Sequence, residues 1–269
     1  MADLPPGFDP AYYLLVHGEV AEAEMDPAEH FERFGRDEGR LGVPPQLGYS
    51  TEREAQGRAD FFAKAFSAVA VNGISGPYLE FGVGRGMTLW LAWRASRALG
   101  LDLPLWAFDS FEGLPTGTTD VDLSHPAWLP GAYANSQDTV RRNVTALGVS
   151  LEDVTFVPGF YSESLAPERR ADLPTTASLV YVDCDMYDST VDVLGYLDGV
   201  FKHGTIVGFD DYFCWSPTRS SGEQVALEEF KERRPDLTFN PYQPIGWHGM
   251  SFYVTTDRQQ SPLPTTLSP

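Results

Sequence analysis

Residues 78–86 read Tyr78-Leu79-Glu80-Phe81-Gly82-Val83-Gly84-Arg85-Gly86. A short apolar strand pattern runs into three glycines spaced two apart. A helical period follows over 87–99, with Leu91, Ala92 and Ala95 inward. Glycines at a strand end let backbone approach a ligand and tighten the turn into a helix. The spacing is G-x-G-x-G, not the G-x-G-x-x-G of dinucleotide folds. Taken alone it fits a plain strand–helix turn equally well.

The alternation continues outward. Upstream, residues 51–72 have helical period, with Phe62, Ala65, Phe66 and Val69 on one face; Gly73, Gly76 and Pro77 stop them. Downstream, strands are expected at 105–108, 154–157, 178–182 and 205–209. Helices are expected at 137–147, 190–202 and 222–234, the first capped by Asn135 or Ser136. Late strands are expected at 237–240 and 250–254. The Gly/Pro/Thr-rich stretch 113–135 is long enough to be a lid or binding loop. Strand–helix alternation over 78–210 means a mostly parallel sheet with helices on both faces. Such sheets bind ligands beyond the carboxyl ends of their strands.

The chain has 269 residues, room for one large α/β domain and a small appendage. Acidic residues number 38 against 19 basic ones, a formal charge of −19, which argues against a nucleic-acid partner. Two cysteines, Cys184 and Cys214, make no disulfide framework and fit a reducing compartment. No apolar run is long enough for a membrane span. The start MADLPPGFDP lacks the basic and apolar regions of a secretory leader, so a cytoplasmic protein is expected. Residues 7–42 form a separate helical segment with two Asp-Pro starts, Asp9-Pro10 and Asp26-Pro27, where Asp caps and Pro opens a helix. So short a segment buries little by itself. The expected organisation is therefore a helical segment to residue 45, a main domain over 46–255 and a flexible tail over 256–269.

The strand ends carry the chemistry. Glu80 places a carboxylate by the glycine turn. Asp109, 27 residues after Gly82, stands where a carboxylate can accept both hydrogen bonds of a ribose diol. After the fourth strand comes Asp183-Cys184-Asp185-Met186-Tyr187-Asp188-Ser189-Thr190; after the fifth, Asp210-Asp211-Tyr212. Adjacent parallel strands bring Asp183, Asp210 and Asp211 together with no basic neighbour in sequence. Their mutual repulsion is relieved by a hard divalent cation: Mg²⁺, Mn²⁺ or Ca²⁺ rather than zinc. An arginine or lysine in their midst would end that reading. The alternative is that these residues cap separate helices, as Asp188 and Ser189 are expected to do. Tyr187, Tyr212, Phe213 and Trp215 form either a wall for an apolar or sugar face or part of the core.

Four ordered blocks carry a resemblance: Glu80-Phe81-Gly82-Val83-Gly84-Arg85-Gly86, Asp109-Ser110-Phe111-Glu112-Gly113-Leu114-Pro115, Asp183-x-Asp185-Met186-Tyr187-x-Ser189-Thr190 and Asp210-Asp211-Tyr212. Over about residues 49–255 the chain resembles the macrocin O-methyltransferase family, metal-dependent enzymes that methylate sugar hydroxyls of natural products from S-adenosylmethionine. The resemblance implies a Rossmann-like class I methyltransferase fold, α/β, with a seven-stranded sheet whose last strand is antiparallel. It implies that Glu80, Gly82 and Gly84 flank the methionine part of the cofactor. Asp109 would hold the ribose with Ser110 close by, and Gly159 and Phe160 would lie near the adenine. Asp183, Asp210 and Asp211 would hold the metal. Gly84 and Met87 depart from the family pattern, and the helix start at 222–226 lacks an expected basic residue. Residues 1–48 more weakly resemble a helical segment attached to bacterial surface and glycan-synthesis proteins.

The chemistry explains the set. A sugar hydroxyl is close to water in acidity, pKa about 15.7, so a carboxylate of pKa about 4 is a poor base for it. A divalent cation lowers that mismatch and aims the oxygen. Asp183 is expected to ligate the metal and accept the proton. His248, in Gly246-Trp247-His248-Gly249, is a second candidate base, since its ordinary pKa is better matched. The expected acceptor is a small glycosylated molecule. A phenol or catechol acceptor is an alternative, as is a cofactor-binding interaction module docked through residues 7–42 to a glycan-assembly partner; a homo-oligomer is also among the expectations.

Overall fold

The protein is described by a computed structural model over residues 4–45 and 50–256. The chain divides into two compact units at the Ser50–Thr51 junction. The junction expected after residue 45 and the expected tail beyond Thr256 lie outside the described residues.

The first unit shows both Asp-Pro starts at work. Asp9 accepts the Ala11 and Tyr12 N–H groups at 2.9 and 3.0 Å and opens α1 (Pro10–Val16). Helix α2 (Gly18–Glu22) follows. Asp26 accepts the Glu29 N–H at 2.9 Å and opens α3 (Pro27–His30), which continues through a wider turn to Gly35. Tyr13, Val20 and Phe31 are the buried centre of this unit, and the Tyr13 hydroxyl meets His30 Nδ1 at 2.9 Å.

The second unit opens on α4 (Thr51–Val71) and then alternates: β1 (Tyr78–Phe81), α5 (Met87–Ala98), β2 (Leu105–Asp109), α6 (Asp120–Leu123) and α7 (Gln137–Ala146). It continues with β3 (Val154–Pro158), α8 (Tyr161–Ser164), β4 (Leu179–Val182), α9 (Tyr187–Leu197), β5 (Ile206–Phe209), α10 (Gly222–Arg233), β6 (Leu237–Ile245) and β7 (Gly249–Thr256). The seven strands form one sheet in the order β3-β2-β1-β4-β5-β7-β6. Strands β1 to β5 pair in parallel; β7 is antiparallel to both β5 and β6.

Parallel strands covered on both faces read as continuous apolar runs, and β1, β4 and β5 are buried throughout. Alternate residues point to opposite faces. Leu79, Phe81, Val180, Val182, Val207 and Phe209 pack with residues of α9 and α10; Tyr78, Leu179, Tyr181 and Ile206 pack with α4 and α5. Strand β6 runs past its expected end at 240, through Pro241 and Pro244, with a shifted register between them. Prolines are tolerated there because β6 is an edge strand. Among the described residues no helix is long and apolar enough to cross a membrane.

The glycine turn is a packing requirement. Gly82 has φ +90°, and a Cβ there would stand 1.7 Å from the Asp183 carbonyl oxygen. Gly84, φ +51°, has nothing within 4 Å. Gly82→Ala is expected to cost about 2–5 kcal/mol, combining left-handed strain with overpacking, and Gly84→Ala only about 1–2. Chemical denaturation of both variants checks the ranking; equal losses would contradict it.

Candidate functional site

Val182 pairs with Phe209 across β4 and β5, and the Asp210 N–H bonds the Val182 carbonyl at 2.8 Å. The two acidic segments therefore leave the sheet side by side. One carboxylate oxygen from each of Asp183, Asp185 and Asp211 lies within 4.8 Å of the other two. Oxygens on one cation at about 2.0–2.6 Å lie at most about 4–5 Å apart, so this trio fits a single divalent ion. Each of the three keeps part of its surface exposed.

Asp210 is not one of them. Its side chain is buried, and Arg58 of α4 donates to it through Nε at 3.0 Å and through Nη2. The Tyr181 hydroxyl donates to it as well. The three carboxylates that converge are therefore Asp183, Asp185 and Asp211, whereas the expected trio was Asp183, Asp210 and Asp211. An arginine does enter the acidic cluster, but it is spent on Asp210 and leaves the other three to converge. It escaped the sequence reading because it lies 152 residues upstream, on a helix that precedes the sheet.

Electrostatics reflect the crowding. Burial, then the charges of Asp210 and Asp211, push the Asp183 carboxyl well above the usual carboxylate range. Burial, then Asp185 and Asp210, do the same to Asp211. Asp185 is pushed up to about 8, by burial first and Asp183 next. Its backbone is in the left-handed region at φ +62°, uncommon for a residue other than glycine. Nothing in the sequence beyond its place in the motif gave Asp185 a role.

The long loop after β2 supports this corner. Asp122, buried within α6, accepts the Tyr187 and Asp188 N–H groups at 2.5 and 3.1 Å. It therefore caps α9 from outside the helix, and α9 starts earlier than expected. Asp188 and Ser189 are not its caps; Asp188 instead accepts the Thr118 N–H and hydroxyl. From the same loop comes Trp128, stacked on His125 at 4.0 Å, which lies near enough to Asp185 to favour its ionised form. Tyr187 and Tyr212 pack against the core, while Trp215 is exposed.

Two other expectations change. His248 does not reach the mouth as a base: it is buried at the start of β7, with Nδ1 2.8 Å from the Asp210 carbonyl. Its Nε2 has no hydrogen-bond partner among the described residues. Glu80 does not reach outward. It is fully buried, with Tyr78 and Thr88 hydroxyls donating to its oxygens at 2.7 and 2.5 Å, and burial pushes its pKa to about 8. It ties β1 to the start of α5.

Asp109 bridges two strand ends, accepting the Val83 and Phe111 N–H groups at 2.7 Å each. Each of its oxygens retains a lone pair for another donor. Ser110 closes its own turn, donating to the Gly113 carbonyl at 2.8 Å. Gly159, at φ +123°, donates its N–H to the Asp109 carbonyl at 3.0 Å, and Phe160 stands half-buried before α8. Gly82, Gly84, Asp109, Gly159 and Phe160 thus line adjoining strand ends.

Residues 10–252 match the family model described as macrocin-O-methyltransferase (TylF). The chain belongs to that family. It is 30% identical over 162 residues to the 8-demethyl-8-(2,3-dimethoxy-alpha-L-rhamnosyl)-tetracenomycin-C 4'-O-methyltransferase of Streptomyces olivaceus, covering 58% of this chain and 60% of that protein. It is 29% identical over 171 residues to the mycinamicin III 3''-O-methyltransferase of Micromonospora griseorubida, covering 60% and 63%. The chain thus spans less than two thirds of the length of these curated relatives. The solved structure of the O-methyltransferase NovP superposes with a TM-score of 0.63 at 26% identity, covering 91% of this chain and 99% of that one. The calicheamicin methyltransferase CalS11 shares the fold, with a TM-score of 0.59 at 19% identity over 93% and 98%. These are class I methyltransferase folds, as is this one.

Arg58→Met leaves Asp210 buried without its cation and is expected to destabilise by about 3–5 kcal/mol. Adding Asp210→Asn removes the orphaned charge and is expected to recover most of the loss. Urea unfolding of the single and double variants checks this; no recovery would show that the pair does not carry the effect.

Proposed function

We propose that this member of the macrocin O-methyltransferase family moves a methyl group from S-adenosylmethionine to a sugar hydroxyl of a glycosylated small molecule, with a divalent cation held by Asp183, Asp185 and Asp211. The observation that carries the reading is the convergence of those three carboxylates beside Asp109 and the glycine turn. The donor set is oxygen only, which suits magnesium, manganese or calcium. The relatives are named as 4'-O- and 3''-O-methyltransferases, one of a rhamnosyl-tetracenomycin and one of mycinamicin III, and that supports a sugar hydroxyl over a phenol.

When bound, the cation supplies charge that makes an alcohol proton easier to remove. This chain's residues do the rest. Asp109 accepts the ribose hydroxyls through its free lone pairs while Val83 and Phe111 hold it still. Gly84 leaves open space for the cofactor, and Gly159 and Phe160 flank its base. Asp185 takes the acceptor proton: with the cation bound it is ionised, and it keeps part of its surface exposed in the mouth. Asp183 is held as ligand rather than base. His248 steadies the Asp210 backbone from below. The acidic cluster also tells against an interaction module, since a docking fold has no use for carboxylates that repel one another.

Transfer of labelled methyl to a panel of deoxyhexosyl glycosides and catechols is expected to favour the glycosides, to stop in EDTA and to return with Mg²⁺. Asp185→Asn is expected to lower kcat by about 10²–10⁴ while leaving cofactor affinity unchanged. Full turnover in EDTA would remove the metal from the proposal, and transfer to catechol alone would replace the acceptor.

The apo site also has a pH signature. Asp183, Asp185 and Asp211 hold protons in the folded chain that an unfolded chain releases near pH 4. Folding therefore binds protons, and the stability these groups contribute falls as pH rises from about 4 toward 8. Divalent cation needs the ionised ligands, so it is expected to raise Tm more at pH 8 than at pH 6. Thermal scans with and without Mg²⁺ at the two pH values check this; a larger shift at pH 6 would contradict it.

A further inference from the structure

Glu223, near the start of α10, is fully buried. Its Oε2 accepts the backbone N–H of Asp211 at 2.8 Å. Its Oε1 finds no hydrogen-bond partner among the described residues. Burying a carboxylate on a single hydrogen bond is costly, and the one bond it makes goes to a member of the trio.

Its neighbours make the same approach. Ser221 caps α10 by accepting the Gln224 N–H at 3.1 Å and donates to the Tyr212 carbonyl at 2.8 Å. Gly222 lies so close to the other strand end that a Cβ would stand 2.4 Å from the Tyr187 nitrogen. Three consecutive residues thus tie one helix start to the segment after Asp185 and to the segment that carries Asp211. The positive end of a twelve-residue helix stands there beside the anionic groups.

We propose that Glu223 is a positioning residue: its reach to the Asp211 N–H, not its charge, sets the Asp211 carboxylate against Asp183 and Asp185, and so sets the affinity of the trio for a divalent cation. This rests on the reading of the trio as a cation site. It goes beyond that reading by assigning the spacing of the ligands to a fourth carboxylate that is not itself one of them.

The test separates reach from charge. Glu223→Gln keeps the length and an acceptor oxygen and loses the charge. Glu223→Asp keeps the charge and is one carbon–carbon step shorter, about 1.5 Å. Mn²⁺ binding to the full chain is measured by calorimetry, with S-adenosylhomocysteine binding and thermal unfolding on the same samples. The Gln variant is expected to bind Mn²⁺ within about three-fold of the wild type and the Asp variant at least about ten-fold more weakly. S-adenosylhomocysteine affinity is expected to be the same in all three. If Glu223→Asp does not fold, Glu223→Ser takes its place with the same expectation. The reverse order, equal losses, or no loss in either variant overturns the positioning role. Wild-type protein that binds S-adenosylhomocysteine but no Mn²⁺ overturns the cation reading itself, a result distinct from any of these.

Discussion

Repulsion between carboxylates is the constraint around which this corner of the molecule is arranged. Asp183, Asp185, Asp210, Asp211 and Glu223 all interact at the carboxyl ends of β4 and β5. Two unit charges 4 Å apart repel by about 4 kcal/mol at the effective dielectric of a protein surface. The chain answers the repulsion in different ways at each residue. Asp210 is neutralised by Arg58 and bonded by Tyr181. Asp122, at the edge of the cluster, is satisfied by two helix N–H groups. Among the described residues Asp183, Asp185 and Asp211 form no salt bridge, and burial first, then the charges of their acidic neighbours, raises their pKa values. A group of acids left uncompensated while neighbouring ones are carefully paired is the arrangement that suits an exchangeable cation.

The elements that enforce this arrangement come from distant parts of the chain. Helix α4 precedes the sheet yet supplies the arginine. The loop after β2 supplies the cap of α9 and the indole beside Asp185. The start of α10 supplies Ser221, Gly222 and Glu223. Each strand end is therefore fixed from its own strand and from at least one element outside it. A side chain on a loop acquires the precision of the sheet by this means.

Much of this was legible in the sequence because the fold uses local signals honestly. Uninterrupted apolar runs gave the parallel strands, helical period gave α4, α5, α7 and α10, and Asp-Pro and Ser136 gave helix starts that the structure reproduces. The errors share a cause. Helix α9 begins at Tyr187 rather than near Thr190, because its cap is Asp122, 65 residues away, and no local pattern announces a cap supplied in trans. Strand β6 extends beyond 240 because an edge position forgives Pro241 and Pro244. The acidic blocks were found by residue type and place, but Arg58, Trp128 and Glu223 carry no motif. Their roles exist only once the chain is folded.

The division of labour between Asp210 and Asp211 shows how a salt-bridged carboxylate and one proposed as a ligand come to stand side by side. In an extended segment neighbouring side chains point to opposite faces. Along β5, Gly208 faces Phe61 of α4, and Asp210, two residues on, faces the same helix and meets Arg58. At Asp211 the backbone N–H is held by Glu223 of α10. The same alternation sets Tyr181 and Asp183 on the α4 face of β4, so the Tyr181 hydroxyl reaches Asp210 rather than Asp211. Two adjacent aspartates are thus assigned by parity. One anchors the sheet to the helix that precedes it; the other, past the end of β5, comes within reach of Asp183 and Asp185. Asp185, two residues beyond Asp183, shares its parity, and its left-handed backbone at φ +62° turns the chain out of the strand at that point.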